Sequence, residues 1–350
     1  MPKRIYLPHL LAVAIMIATP AVAADQPVWP LLPAALPTKA APLPEVDYFA
    51  PRPVPAWQLE FAARYWYGNA NTGKSLYDVP SSSDALVSRL TYSGMDVNAG
   101  ELFGRVAFTS GWFIKGYVGA GALWGGSLKD EDFPPFIVPY SSTNSDQRDG
   151  SIAYASADLG YNVIRGGDFR VGAFAGYHYF REIVNAFGCT QTTSNPDICQ
   201  PPVPTLIEVI TQNNNWQSLR IGLDGSLRLA ERFTLNADAA WLPLVWLNGT
   251  DAHWLRIGTG VGDFTGPIPE DGRGQGFQLE ALLSYQVTQY ASVGIGARYW
   301  HMQTNGDTHF ENHIVGETAF PQPVDWKTDI YGVFIQASLK LGPYPLGRLN

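Results

Sequence analysis

Apolar and polar residues alternate with a period of two along most of this 350-residue chain. The segment 277–288 shows the pattern clearly, and 57–67, 153–163 and 218–229 repeat it. In 277–288 one face carries Phe277, Leu279, Ala281, Leu283, Tyr285 and Val287, and the other carries Gln278, Glu280, Ser284, Gln286 and Thr288. A period of two is that of a β-strand with two unlike faces. The chain is therefore predicted to be all-β.

The polar faces and the connections distinguish a membrane barrel from a soluble sandwich. The polar faces are rich in Gly, Gln and charges of both signs, as in a packed lumen, whereas the apolar faces carry aromatic residues near strand ends. Tight turns at 165–168, 231–232 and 289–290 alternate with long polar segments, predicted to be loops, at 127–150, 184–214, 249–275 and 304–328. This arrangement predicts a ten-stranded antiparallel transmembrane β-barrel with long extracellular loops. Its strands are expected at 57–69, 85–108, 112–126, 151–165, 168–183, 215–230, 233–248, 275–288, 291–303 and 328–341.

The residues flanking the barrel predict an exported protein of the outer membrane. Residues 1–23 have the form of a signal peptide, with Lys3 and Arg4 before a short apolar run and Ala21-Val22-Ala23 at the cleavage site. We expect a Pro-rich periplasmic leader at 24–56, the barrel at 57–341 and a C-terminal extension at 342–350. The net charge of −8 argues against a nucleic-acid partner. The two cysteines, Cys189 and Cys199, lie in one exported loop and are expected to form a disulfide.

Two short motifs in the predicted second and fourth outer loops could perform hydrolysis. They are Asp130-Glu131-Asp132 and Asp251-Ala252-His253. Residues two apart in an extended chain point to the same side, so each motif presents a pair of side chains. Asp251 could orient His253 as a general base, and Asp130 with Asp132 could hold the attacking water. Each motif alone is more often solvated loop surface than a catalytic site.

The order of strands and motifs resembles the omptin family of outer-membrane endopeptidases. That family has an Asp-x-Asp in its second loop and an Asp-x-His in its fourth, and the four residues above fall at the matching places. Ala175-Gly176-Tyr177 and Arg181 resemble the family's stretch at the end of its fifth strand. The resemblance implies an Asp- and His-dependent endopeptidase that acts on peptides or proteins, needs no metal or other cofactor, and binds lipopolysaccharide as an activating lipid. It also makes Tyr177, Arg181 and Asp78 candidate substrate-binding residues.

The sequence leaves the position of the motif at 251–253 and the activity open. Gly249 stands where well-known omptins carry an acid that favours basic substrates, so no preference for basic residues is predicted. If the alternation from Ala237 to Trp241 continued unbroken, Asp251 and His253 would face outward; a bulge near Pro243 or Gly249 would turn them inward. A non-catalytic barrel for adhesion or envelope integrity, or a narrow solute channel, would fit the same strand pattern. His309 and His313 are interpreted as part of a hydrated loop rather than a metal site.

Overall fold

The computed structural model describes residues 57–78, 85–133 and 138–342. Its elements, in chain order, are β1 (Trp57–Tyr77), β2 (Leu86–Phe108), β3 (Trp112–Trp124), β4 (Ser127–Asp132), β5 (Ser141–Arg165), β6 (Phe169–Gln191), β7 (Val203–Ala230), β8 (Phe233–His253), a 3-10 turn (Trp254–Arg256), β9 (Ile268–Gln286), β10 (Ala291–Thr308) and β11 (Gln322–Leu341). The predicted signal peptide and leader, and all of the C-terminal extension except Gly342, lie outside the described residues. Within the described ranges, no helix is long and apolar enough to cross a membrane.

The strands form one closed antiparallel ring. Each strand pairs with the next around the ring, and β1 pairs with both β2 and β11, which closes the sheet. β3 and β4 both lie between β2 and β5, because Gly125 and Gly126 interrupt what is otherwise one strand. The eleven segments therefore occupy ten positions, and the predicted ten-stranded antiparallel barrel is confirmed.

The strands are longer, and the loops shorter, than the sequence predicts. More than half of the residues in the four polar segments expected to be loops belong to paired strands. The stretches that remain between these strands are 133–140, of which 134–137 lie outside the described residues, and 192–202, 254–267 and 309–321. We call the end that carries them, together with 78–85, the loop end, and the opposite end, with its short turns, the turn end. Toward the loop end the outward face of the strands becomes polar as well, so pairing continues there although the alternation of residue types stops.

The outer surface carries an apolar band below this polar extension. On β9, Phe277, Leu279 and Leu283 project outward and are 38–46% exposed, as lipid-facing residues are. Past Phe277 toward the loop end, the exposed outward residues are Gln275 and Arg273. The membrane-spanning part of the barrel therefore ends near Phe277, and the strands continue beyond it.

The lumen is filled in two layers. Near the turn end, Glu101 accepts hydrogen bonds from Arg64 at 2.8 Å and from Arg298 at 2.6 Å. Six charged residues border one small cavity there: Arg64, Asp158, Arg220, Asp224, Asp238 and Glu280. Above it, neighbouring rings with centroids 5.0–6.3 Å apart form a layer that we call the aromatic plug: Trp66, Tyr117, Tyr154, His178, Phe180 and Trp300. The plug separates the turn end of the lumen from the loop end.

Candidate active site

An interruption in the strand turns the first acidic motif into the lumen. In β3, Phe113 and Leu123 face inward and even-numbered residues such as Trp124 face outward. Unbroken alternation would therefore place Asp130 and Asp132 outside. Gly125 and Gly126 both adopt positive φ, at 64° and 83°, which glycine tolerates best. After this break Leu128 is fully buried, and the aspartates that follow it at steps of two share its inward face. Both aspartates therefore lie on a strand, not in a loop as predicted.

A bulge does the same for the second motif. In β8, Ala240 and Leu242 face inward and Trp241 faces outward, whereas Val245 and Asp251 face inward beyond it. The register with β9 shifts between Leu242 and Val245, and the register with β7 shifts between Trp241 and Leu244; in each case two residues of β8 oppose one of the neighbouring strand. The bulge thus lies at Pro243, and beyond it odd-numbered residues of β8 face the lumen instead of even-numbered ones. His253 ends β8 and, like Asp130, lies on a strand and not in a loop.

Asp251, His253, Lys74 and Glu270 form a continuous cluster in the lumen. His253 Nε2 lies 2.9 Å from Asp251 Oδ2. The same oxygen accepts a hydrogen bond from Lys74 Nζ at 2.6 Å, and Lys74 also donates to Glu270 Oε1 at 2.5 Å. Although burial alone would raise it, the neighbouring His253 and Lys74 lower the pKa of the Asp251 carboxyl below its usual value. Asp251 is therefore ionised and accepts a hydrogen bond from the Nε2–H group of His253, which leaves Nδ1 as the acceptor of the neutral ring.

The Asp130–Asp132 pair has the opposite electrostatic character. Burial, followed by repulsion from Asp132, raises the pKa of Asp130 to about 7. Burial also raises the pKa of Asp132, which accepts a hydrogen bond from Ser88. Both aspartates interact electrostatically with His253, although β4 and β8 lie on opposite sides of the ring. Two close carboxylates with raised pKa values share a proton near neutral pH.

Three buried oxygens at this site lack a hydrogen-bond partner among the described residues. They are Asp130 Oδ1, Asp251 Oδ1 and the Tyr92 hydroxyl. Tyr92 is a diagonal neighbour of both Lys74 and Asp130, because Leu90 pairs with each of those residues and Tyr92 follows Leu90 on the same face of β2. Unpartnered buried oxygens are costly, so water or a ligand is expected to bind between them.

The other residues singled out from the sequence lie elsewhere. Tyr177 and Arg181 are on the outer face of β6, where they donate to Gln217 Oε1 at 2.8 Å and Asn213 Oδ1 at 3.1 Å, so they do not line the lumen with the four candidates. Asp78 follows β1 at the loop end, and its amide donates to the carbonyl of Ala85 at 2.9 Å. Cys189 and Cys199 form a disulfide across the β6–β7 connection, with a Cα–Cα distance of 5.7 Å. His309 pairs with Asp271 and Glu311 at 2.9 and 2.7 Å.

Sequence reasoning missed Lys74, Glu270 and Tyr92. Lys74 had one available signal, since Thr72 and Lys74 lie on the same strand face as Trp66 and the lumen residue Arg64. Glu270 and Tyr92 had none, because each lies in a stretch without regular alternation. Within the described part of the chain, no three His, Cys, Asp or Glu side chains are grouped so as to hold a metal ion.

Comparison with known proteins supports the fold. The structure is similar to the outer membrane protease OmpT from Escherichia coli, with a TM-score of 0.62 and 17% identity over 80% of this chain and 96% of that one. The outer membrane protein OprG from Pseudomonas aeruginosa also matches, with a TM-score of 0.35 and 10% identity over 83% of this chain and 98% of that one. At these identities the likeness to OmpT shows a shared barrel fold, and the likeness to OprG carries no further weight. No protein-family model matches the sequence, and no curated protein sequence is significantly similar to it.

Proposed function

We propose that this protein is an omptin-like endopeptidase of the outer membrane, with its loop end outside the cell. The proposal is supported above all by the electrostatic interaction of Asp130 and Asp132 with His253, together with the unpartnered buried oxygens Asp130 Oδ1 and Asp251 Oδ1. The similarity to the fold of a protease supports it. The resemblance in sequence adds peptides or proteins as substrates and lipopolysaccharide as an activating lipid.

The proposed reaction uses water as the nucleophile. The Nδ1 atom of His253 takes a proton from a water held by Asp130 and Asp132, and the water oxygen bonds to the peptide carbonyl carbon. Asp251 stabilises the imidazolium that forms. When the tetrahedral intermediate breaks its C–N bond, His253 returns the proton to the departing amine. The partly protonated Asp130–Asp132 pair can hydrogen-bond both to the water and to the carbonyl oxygen as charge develops there.

The aromatic plug argues against the solute-channel alternative. Its rings lie in mutual contact across the lumen, and the charged layer beneath them is paired internally. A solute would have to displace both layers. Among the described residues these two layers fill the lumen on the turn-end side of the site, which suits a substrate that arrives from the loop end.

The test compares two histidines on the same barrel. His253 pairs with Asp251 in the lumen, and His301 pairs with Asp329 at 2.8 Å on the outer face. Protein refolded in detergent with lipopolysaccharide is incubated with a library of quenched fluorescent peptides. We expect cleavage by wild type and by His301→Ala, and none by His253→Ala, with all three retaining the heat-modifiable migration of a folded barrel.

Other outcomes would reject the proposal. If folded wild type cleaves nothing, with or without lipopolysaccharide, the protein is a non-catalytic barrel. If His253→Ala cleaves as fast as wild type, the chemistry lies elsewhere. Conductance steps in planar bilayers that are insensitive to His253→Ala would favour the channel.

A further inference from the structure

Lys74 is a buried cation that uses all three of its hydrogen-bond donors inside the lumen. Its side chain is 1% exposed, and Nζ donates to Asp251 Oδ2, Glu270 Oε1 and Gln212 Oε1 at 2.6, 2.5 and 3.3 Å. A saturated ammonium of this kind cannot bind substrate. Its role is therefore inferred from the groups to which it donates hydrogen bonds.

The partners hold Lys74 rigidly against the candidate base. Gln212 Nε2 donates to Glu270 Oε2 at 2.8 Å, and Thr308 donates to Glu270 Oε1 at 3.1 Å. Gln212 and Glu270 lie on β7 and β9, the two strands that flank β8. Lys74 reaches them from β1 across the lumen, so its ammonium is fixed at one point beside Asp251.

Lys74 and His253 compete for one oxygen. Both contact Asp251 Oδ2, at 2.6 and 2.9 Å, so the two nitrogens are no more than 5.5 Å apart. Two cations at that distance repel, and in a buried site the repulsion is weakly screened. We propose that Lys74 is a positioning residue that fixes the ionised Asp251 carboxylate and opposes protonation of His253, which favours the neutral ring that can accept a proton; the role rests on the proposed function.

The electrostatic surroundings of His253 determine the direction in which the loss of Lys74 should move the pKa of His253. The groups that interact electrostatically with the Asp251–His253 pair are Lys74 on β1, Tyr92 on β2, Asp130 and Asp132 on β4, and Glu270 on β9. Beyond them, Glu208 on β7 acts on Tyr92, and Arg256 in the 3-10 turn acts on Asp132. Burial lowers the pKa of His253, but Asp251 and then Asp130 raise it above its usual value. The positive charge of Lys74 acts against the two aspartates and lowers the pKa of His253. Removing its charge should therefore raise the pKa of His253 further.

The experiment measures His253 directly and does not depend on activity. Protein with isotope-labelled histidine rings is titrated by NMR in detergent, and His253→Asn assigns the resonance by its loss. For Lys74→Met we expect the midpoint to rise by about one pH unit, while Lys74→Arg, which keeps the charge, stays close to wild type. In a peptide-cleavage assay the rising limb of kcat/KM against pH should move by the same amount.

Several outcomes would overturn the inference. An unchanged His253 midpoint in folded Lys74→Met rejects it whether or not the protein cleaves peptides. A loss of kcat at every pH with no shift would show a merely structural lysine. If Lys74→Met does not fold, Lys74→Met/Glu270→Gln removes both buried charges, and its His253 midpoint must lie above that of the single variant Glu270→Gln. A shifted midpoint in a protein that cleaves nothing would reject the proposed function and leave the coupling intact.

Discussion

Replacing Asp251 by Asn gives the sharpest test of the proposed dyad. The amide has nearly the same size as the carboxylate, so packing at this buried position is preserved while the charge is lost. The carboxylate is the acceptor for both His253 and Lys74, at 2.9 and 2.6 Å. Without it nothing fixes the proton on Nε2, and the ring can present a donor where the water needs an acceptor.

The expected magnitudes differ for stability and for rate. A hydrogen bond to a charged group contributes about 1.5–3 kcal/mol. Lys74 keeps Glu270 at 2.5 Å, so mainly the His253 contact is lost and the free energy of unfolding should fall by about 2 kcal/mol. General-base catalysis contributes roughly 10²–10⁴-fold, so kcat/KM should fall by that factor, or about 3–5 kcal/mol in the activation free energy.

The chain provides a matched control on its outer face. Asp329 accepts hydrogen bonds from His301 at 2.8 Å, the Tyr299 hydroxyl at 2.6 Å and Lys327 at 2.9 Å, so it too holds a histidine and a lysine. Asp329→Asn should lower thermal stability to a similar extent and leave kcat/KM within about twofold, well under the ~1.4 kcal/mol that a tenfold change represents. Equal losses of activity in the two variants, or full activity in Asp251→Asn, would refute the assignment of Asp251.

Two further predictions concern pH and the backbone. As pH increases, kcat/KM should rise with a midpoint above 6.5, because His253 must be neutral to act as the base and Asp251 raises its pKa. Asp130 raises the same pKa, so Asp130→Asn should move this midpoint down. An upward move would contradict the electrostatic interaction between Asp130 and His253. Gly126→Ala, whose Cβ would lie 2.5 Å from the Ser93 carbonyl oxygen, should lower the melting temperature and activity more than Gly125→Ala, whose Cβ meets open space. Gly125→Ala should cost about 1–2 kcal/mol for its positive φ alone, and equal effects of the two would show that the contact with Ser93 does not matter.

The sequence predicts the barrel wherever one face of a strand meets an apolar environment. There the alternation is enforced on every residue, as in 277–288, and the predicted strands match the observed ones. Between 203 and 214 it fails, because β7 has left the apolar band and its two faces no longer need different residues. Pairing in that region depends on the neighbouring strands, which a local pattern does not reveal.

The candidate site was predictable in its residue types and not in its surroundings. Spacing two apart places Asp251 with His253 on one face, and the structure has them in contact. Which face that is depends on a bulge that alternation alone leaves open between Pro243 and Gly249. The bridge from Lys74 to Glu270 joins residues 196 positions apart, and only the closure of the ring brings them together.

Both halves of the site use the same backbone device, and the reason is a conflict between two patterns. In β3 even-numbered residues must face the apolar band, and in β8 odd-numbered ones must, yet Asp130 and Asp132 are even and Asp251 and His253 are odd. Without an irregularity each strand could place either its apolar residues toward the membrane or its motif residues toward the lumen, but not both. The break at Gly125–Gly126 and the bulge at Pro243 separate the two requirements, so residues near the turn end can follow the lipid while the motif residues near the loop end face the lumen. Each irregularity follows an outward-facing tryptophan, Trp124 in β3 and Trp241 in β8, near the loop end of the apolar surface, where the constraint from the lipid gives way and the opposite set of residues can turn inward.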